Sequence, residues 1–520
     1  LSGPDQEVYM KAATAYVAEM MQNPSKVLEQ QVSYWGKTLK HYVDAQQVLL
    51  KGELKAPPDP TPKDRRFDNP AWENHPYFNY LKQQYLLNSE MVTEAISGLD
   101  TIDAADKKRV DYFTRQIVDM FAPTNFLGTN PDALEKAVET DGASLVAGLE
   151  NLVRDIEANN GELLVTLADR NAFRVGENIA ATKGAVVYRN KMFELIQYSP
   201  TTDTVHDIPL LIFPPWINKF DVGLDDYIRD GYLRAMAEVR RICGTKQVNA
   251  VGYCIAGTTL SLTLAHLEKA GDKTVKSATF FTTLTDFSDQ GEVGVFLGDD
   301  FVDGIERQVA IDGILDKSFM SRTFSFLRSN DLIYKPAIRS YMMGEAPPAF
   351  DLLFWNGDGT NLPAKMAVEY LRGLCQGDRL AKGTFPVFGD PVALSGIKTP
   401  LCAIACETDH IAAWKSSFNG FRQFGSKDKT FILAQSGHIA GIVNPPGKGK
   451  YGHFSNDAAM TTPEAFLEGA EFTRESWWPR WGAWLTKRSG KQISAREPGD
   501  SEHPVLAPAP GTYVAATPKA

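Results

Sequence analysis

The stretch Val248-Asn249-Ala250-Val251-Gly252-Tyr253-Cys254-Ile255-Ala256-Gly257 starts as an apolar strand pattern and ends in small residues that open a helical one. A turn this abrupt needs small neighbours. It lifts its apical residue, here Cys254, above the edge of the sheet. Strand, glycine-flanked nucleophile and helix in that order make a nucleophile elbow, whose serine form is G-x-S-x-G. Here the nucleophile is a cysteine, and Ala256 holds the second small position with Gly257 behind it. Alone, the stretch also fits a structural cysteine beside a tight turn, since a free thiol packs as a small hydrophobe.

Strand patterns lie on both sides of it. Residues 185–188, 192–196 and 208–213 precede the elbow, and 277–281, 401–405 and 430–433 follow it, with helical patterns at 224–243 and 258–270. Short buried strands alternating with helices predict an α/β fold with a mostly parallel sheet. The stretch 286–397, rich in aromatics and prolines, reads as an inserted lid. The preceding sequence is helical. Leu28, Val32, Trp35, Leu39 and Tyr42 form one stripe of an amphipathic helix, and further helices are predicted near 76–97, 103–121 and 131–158. Pro57, Pro58, Pro60 and Pro62 mark an extended linker. The chain therefore divides into a helical domain over 1–180 and a catalytic domain over 181–520, whose tail beyond about 490 is Pro-rich and expected to run extended on the surface.

Partners for Cys254 follow in a telling order. In α/β-hydrolase-type folds the acid and then the histidine come after the nucleophile, each at the end of a strand. Glu407-Thr408-Asp409-His410 follows one strand, and Ser436-Gly437-His438-Ile439 follows the next. Cys254, Asp409 and His438 thus stand in the required order. A histidine beside a thiol makes it a competent thiolate, and an aspartate fixes that histidine's tautomer. Asp409 and Glu407 each also fit a turn or cap carboxylate. His410 competes with His438, but His438 lies on the Gly-flanked loop after the last strand, where this fold delivers its base. The loop at Phe213-Pro214-Pro215-Trp216-Ile217 fits an oxyanion-hole element, giving the backbone N–H groups of Ile255 and Ile217 as candidates. It fits equally a Pro-stiffened turn with Trp216 packed inward.

Composition removes other classes. The 520 residues carry Lys+Arg 54 against Asp+Glu 64, a net charge of −10, which disfavours a nucleic-acid binder. The five cysteines include no CxxC, which argues against a disulfide scaffold or a structural zinc site and fits a reducing compartment. No metal and no cofactor are expected. Neither a membrane-spanning run nor a signal peptide is visible. Residues 441–448 resemble a phosphate loop only faintly, with Gly449 where Ser or Thr belongs. Trp477, Trp478, Trp481 and Trp484 read as helix packing.

Several further motifs carry a family resemblance. Lys63-Asp64-Arg65-Arg66-Phe67, Pro123-Thr124-Asn125-Phe126, Pro214-Pro215-Trp216-Ile217-Asn218-Lys219-Phe220, the elbow, Arg328-Ser329-Asn330-Asp331, Phe354-Trp355-Asn356 and Gly437-His438-Ile439-Ala440-Gly441 occur together. The chain resembles the polyhydroxyalkanoate synthases, most closely the class I poly(3-hydroxybutyrate) polymerases. The resemblance implies polymerisation of (R)-3-hydroxyacyl-CoA, chiefly 3-hydroxybutyryl-CoA, with release of coenzyme A, which is part of the substrate. It implies that Cys254 carries the chain as a thioester, His438 is the base, and Asp409 orients it or activates the incoming hydroxyl. It further implies a cytoplasmic homodimer on polymer granules with granule-associated proteins, the helical domain serving dimerisation and granule contact. Two departures stand out. Ala256 occupies a position where many members have Gly. An α–β unit of roughly 30 residues is absent between Phe220 and Asp221. A non-catalytic granule-associated or dimerising homologue, or a Cys-dependent thioesterase of the same fold, remains the alternative.

Overall fold

The structure is a computed structural model that describes residues 10, 14, 17–18, 21–22, 24–51, 63–99, 102–215, 223–357, 359–447, 449–457 and 461–514. The proline segment at 57–62 and the junction of Phe220 with Asp221 lie outside the described residues. The chain forms two compact units, Leu1–Asp169 with Arg322–Phe350 and Arg170–Ser321 with Asp351–Ala520.

The first unit is helical, with α1 (Pro24–Lys51), α2 (Pro76–Ser97), α3 (Ala104–Met120), α4 (Pro131–Glu139) and α5 (Ala143–Ala158). The single helix predicted over 131–158 is two. Asp141 and Gly142 adopt φ of 49° and 82°, and this left-handed pair breaks the helical ladder where glycine tolerates it. α1 packs on α2 through polar residues. The Tyr34 hydroxyl donates to Asn88 at 2.9 Å, Lys37 pairs with Glu90 at 2.9 Å, and His41 stacks on Tyr80 with ring centroids 4.8 Å apart. The apolar stripe points elsewhere, leaving Leu28, Val32, Trp35 and Leu39 63–65% exposed.

The sequence placed the domain boundary at 180 and one insertion at 286–397. The units instead divide after Asp169, and residues 322–350 of that insertion pack with the helices. Specific contacts hold them there. The Tyr341 carbonyl occupies the space a Cβ at Gly148 would need. The Asn151 amide donates to the carbonyls of Ser340 at 3.0 Å and Glu345 at 3.1 Å, and the Tyr341 hydroxyl donates to Asp155 at 2.8 Å.

The second unit opens with an antiparallel pair, β1 (Gly184–Arg189) and β2 (Glu194–Tyr198). Its main sheet comprises β3 (Leu210–Phe213), β4 (Val248–Tyr253), β5 (Val275–Phe281), β6 (Leu401–Cys406), β7 (Lys429–Ala434), β8 (His453–Ser455) and β9 (Glu471–Thr473), in the order β9-β8-β7-β6-β5-β4-β3. Strands β3 to β7 are parallel, and β8 and β9 continue the sheet antiparallel. β4 and β6 are buried along their whole length, as central parallel strands must be when both faces are covered. Alternate residues feed two cores. Val248 and Ala250 pack with Leu260 and Leu264 of α6 (Ile255–Lys269), and Val251 and Tyr253 with Trp477 and Trp484 on the other face. This is an α/β-hydrolase fold with an added helical unit.

The tail does more than lie on the surface. Residues 492–494 pair with 204–206, Ala507 and Pro508 pair with β1, and His503 is buried with Nε2 2.8 Å from a Glu238 carboxylate oxygen. Among the described residues no helix is long and apolar enough to cross a membrane.

Candidate active site

Cys254 sits between β4 and α6 with φ 58° and ψ −127°. A left-handed φ at a non-glycine residue is strained, and it persists only where the surroundings impose it. Here they do. The Cys254 N–H donates to the Phe281 carbonyl at 2.8 Å, and the Gly257 N–H donates to the Cys254 carbonyl at 2.9 Å. The small residues read from the sequence are close approaches in space. A Cβ on Gly252 would lie 2.5 Å from the Gly257 Cα, and one on Gly257 would collide with the Thr283 side chain. Gly257→Ala should therefore destabilise the unit by about 1–3 kcal/mol through overpacking. Urea denaturation measures this, and a variant as stable as the parent would contradict the close packing.

Asp409 follows β6 and its side chain is fully buried. One carboxylate oxygen, Oδ1, accepts the N–H groups of Ile411 at 2.8 Å and Ala412 at 2.9 Å. The other, Oδ2, takes the Nδ1 of His438 at 2.7 Å. His438 follows β7, and its ring lies close enough to the Cys254 side chain for the two to interact electrostatically. Burial works against a charged ring, but the charges of Asp409 and Cys254, with the hydrogen bond to Asp409, outweigh it, and the His438 pKa is pushed up to about 10. The imidazole thus keeps a proton through the neutral range, the state that stabilises a neighbouring thiolate.

The three residues chosen from the sequence are thus brought together, with 154 residues between Cys254 and Asp409. The Asp409 carboxylate is committed to His438, not to its neighbour His410. His266 packs edge-on against Phe388 at 4.9 Å, and the Nδ1 of His453 is 2.8 Å from the Glu475 carbonyl. All five cysteines are free, with Cys375, Cys402 and Cys406 buried. The Ile255 N–H is the first of α6, where helical N–H groups have no intrahelical acceptor. Ile217 lies outside the described residues.

No motif or spacing marked Tyr370. It belongs to the π-helical turn Glu369–Gln376 in the predicted insertion and packs edge-on against Phe287 at 6.0 Å. Burial, followed by the proximity of Cys375 and Cys254, pushes its hydroxyl well above the ordinary phenol range. The insertion therefore sets a half-buried aromatic within electrostatic reach of the nucleophile.

Known proteins resemble this chain over nearly its whole length. Residues 63–228 match the family described as Poly-beta-hydroxybutyrate polymerase (PhaC) N-terminus. The poly(3-hydroxyalkanoate) polymerase of Methylorubrum extorquens is 36% identical over 99% of this chain and 91% of its own. The chain belongs to the poly(3-hydroxyalkanoate) polymerase family. The polymerase subunit PhaC of Cupriavidus necator is 36% identical over 87% of this chain and 83% of its own. Poly(3-hydroxyalkanoate) polymerases are acyltransferases, and this chain is an enzyme of that class. The alignment with the Methylorubrum polymerase spans 559 positions against 520 residues here, so this chain carries gaps relative to it. Among solved structures, an esterase from Exiguobacterium antarcticum matches 46% of this chain and 87% of its own, at 10% identity and a TM-score of 0.25.

Proposed function

We propose that this poly(3-hydroxyalkanoate) polymerase homologue polymerises (R)-3-hydroxyacyl-CoA, chiefly 3-hydroxybutyryl-CoA, through a thioester on Cys254. The observation that carries the reading is His438, held by Asp409 at 2.7 Å and electrostatically coupled to Cys254. His438 already holds the thiol proton as an imidazolium, and the thiolate sulfur attacks the acyl carbonyl. The Ile255 N–H, with an amide near Ile217, stabilises the developing oxyanion. The carbon–sulfur bond to CoA breaks, CoA leaves with the proton from His438, and the acyl group stays on Cys254. The 3-hydroxyl of a second 3-hydroxyacyl-CoA then gives its proton to His438 and attacks the acyl-enzyme carbonyl. One ester bond forms, the carbon–sulfur bond to Cys254 breaks, the proton returns from His438 to the Cys254 sulfur, and the lengthened CoA thioester reloads Cys254. Coenzyme A enters as part of the substrate, and the steps need no resident cofactor or metal. Tyr370 within electrostatic reach of Cys254 supports exclusion of water, which would divert the acyl-enzyme to hydrolysis.

The test is CoA release from 3-hydroxybutyryl-CoA with analysis of the product. Polymer is expected. Free 3-hydroxybutyrate would make the chain a Cys-dependent thioesterase. Dimerisation or polymer binding without CoA release would make it a non-catalytic homologue, a reading favoured by the gaps against its relative.

The same proposal puts a homodimer on cytoplasmic polymer granules, with the helical unit against the polymer. The uncovered stripe on α1 supports it. Replacing both Trp35 and Leu39 by Glu should cut co-sedimentation with polymer particles about tenfold or more, by removing apolar area from the contact. Unchanged co-sedimentation would exclude this face from granule binding.

A further inference from the structure

His438 rides on a loop, residues 435–444, that contains Gly437 and Gly441. A glycine-bearing loop is a poor platform for a base, since a displacement of about 1 Å at a catalytic group lowers rates by about a hundredfold. Two sets of side chains hold this one by its carbonyls. On the elbow side, the Tyr253 hydroxyl donates to the His438 carbonyl at 2.8 Å in a buried hydrogen bond. Tyr253 is the residue before the nucleophile, and its ring lies 5.8 Å from the His438 ring. Burial, with the proximity of Cys254, Cys406 and Asp409, drives its hydroxyl far above the usual phenol range, so it remains a donor.

On the other side, the Trp477 Nε1 donates to the Gly441 carbonyl at 2.8 Å and the Trp478 Nε1 to the Ile442 carbonyl at 3.0 Å. The two anchorages share a ring. Phe281, at the end of β5, packs edge-on to Trp477 at 5.2 Å and to Tyr253 at 6.1 Å. The Cys254 N–H is bonded to the carbonyl of that same Phe281. Elbow, base loop and tryptophan pair are therefore fastened around one point.

We propose that Tyr253 and the Trp477–Trp478 pair are positioning residues that fix the His438 loop against the Cys254 elbow, so that nucleophile and base are held as one rigid body. The kinetic part of the test rests on the acyl-transfer reading, but the thiol-reactivity part does not.

The experiment uses the full chain, iodoacetamide as probe, and peptide mass spectrometry to read the rate of Cys254 alkylation alone at neutral pH. In Tyr253→Phe that rate should fall by about tenfold, because the base that activates the thiol is no longer held against it. CoA release from 3-hydroxybutyryl-CoA should show kcat about tenfold lower and KM within about twofold, as expected for losing one buried hydrogen bond to the base loop. Trp478→Phe, at a position 38% exposed and so tolerant of change, should move both readouts the same way by about threefold. If Tyr253→Phe does not fold, Trp478→Phe decides alone. Parent-like alkylation rate and kcat in the folded variants would overturn the proposal, whatever happens to their melting temperatures. A parent that releases no CoA would sink the acyl-transfer reading, while the alkylation rates still decide the positioning.

Discussion

Cys254→Ala should release CoA from 3-hydroxybutyryl-CoA at a rate lower by on the order of 10³ or more, while remaining folded. The sulfur is the atom that forms the bond to the acyl carbon, so alanine removes the step itself. Stability should change little. Cys254 holds φ 58° because Phe281, Gly252 and Gly257 impose it, and both residues have a Cβ that meets the same backbone strain. Loss of activity with a parent-like urea midpoint therefore isolates chemistry from folding. Cys254→Ser should be nearly as inactive. A neutral hydroxyl does not pair with a charged imidazole as a thiolate does, and the Asp409 charge continues to favour the protonated ring. Parent-like CoA release from the alanine variant would remove Cys254 from the mechanism and reopen the choice of nucleophile.

The elbow was legible because its requirements are local. Gly252, Ala256 and Gly257 lie within a few residues of Cys254, and the clash that forbids larger side chains is a clash between near neighbours. Asp409 and His438 were legible because topology delivers them. Parallel strands end on one edge, so residues just past β6 and β7 must emerge near Cys254. Contacts that depend on distant partners left no such trace. Tyr253 reaches the His438 carbonyl across 185 residues, and nothing in the elbow motif distinguishes a tyrosine that donates from one that merely packs.

The tryptophans were rightly placed in helix packing, yet their indole N–H groups also grip the base loop. The stripe on α1 shows the limit of periodicity. Spacing marked Leu28, Val32, Trp35 and Leu39 as one face but did not say which face the unit covers; α2 takes the face with Tyr34, Lys37 and His41 instead. The segment 322–350 was misplaced for a related reason. Its membership is fixed by Asn151 and Asp155, nearly two hundred positions away.

Asp409→Asn tests the electrostatics of the site, and the hydrogen bonds of Asp409 settle how an amide would sit. Oδ1 accepts two backbone N–H groups, from Ile411 and Ala412, so the amide oxygen must stay there. The NH2 group then faces the Nδ1 of His438, which has to accept rather than donate. The imidazole proton moves to Nε2, and the ring can no longer take the proton of the thiol. CoA release should fall by about 10³–10⁴, the size associated with forcing the wrong tautomer. The same change removes the charge that holds the His438 pKa at about 10.

A histidine whose pKa rises from 6.5 to about 10 on folding contributes stability that is fully present below pH 6.5 and is lost as pH rises through about 10. The parent's urea midpoint should therefore decline over that window. In Asp409→Asn the decline should be smaller and should finish at lower pH, because the folded pKa lies nearer the unfolded one. An identical slope in parent and variant would mean that Asp409 does not hold the His438 proton. The residue would then serve only to cap the turn at Ile411 and Ala412.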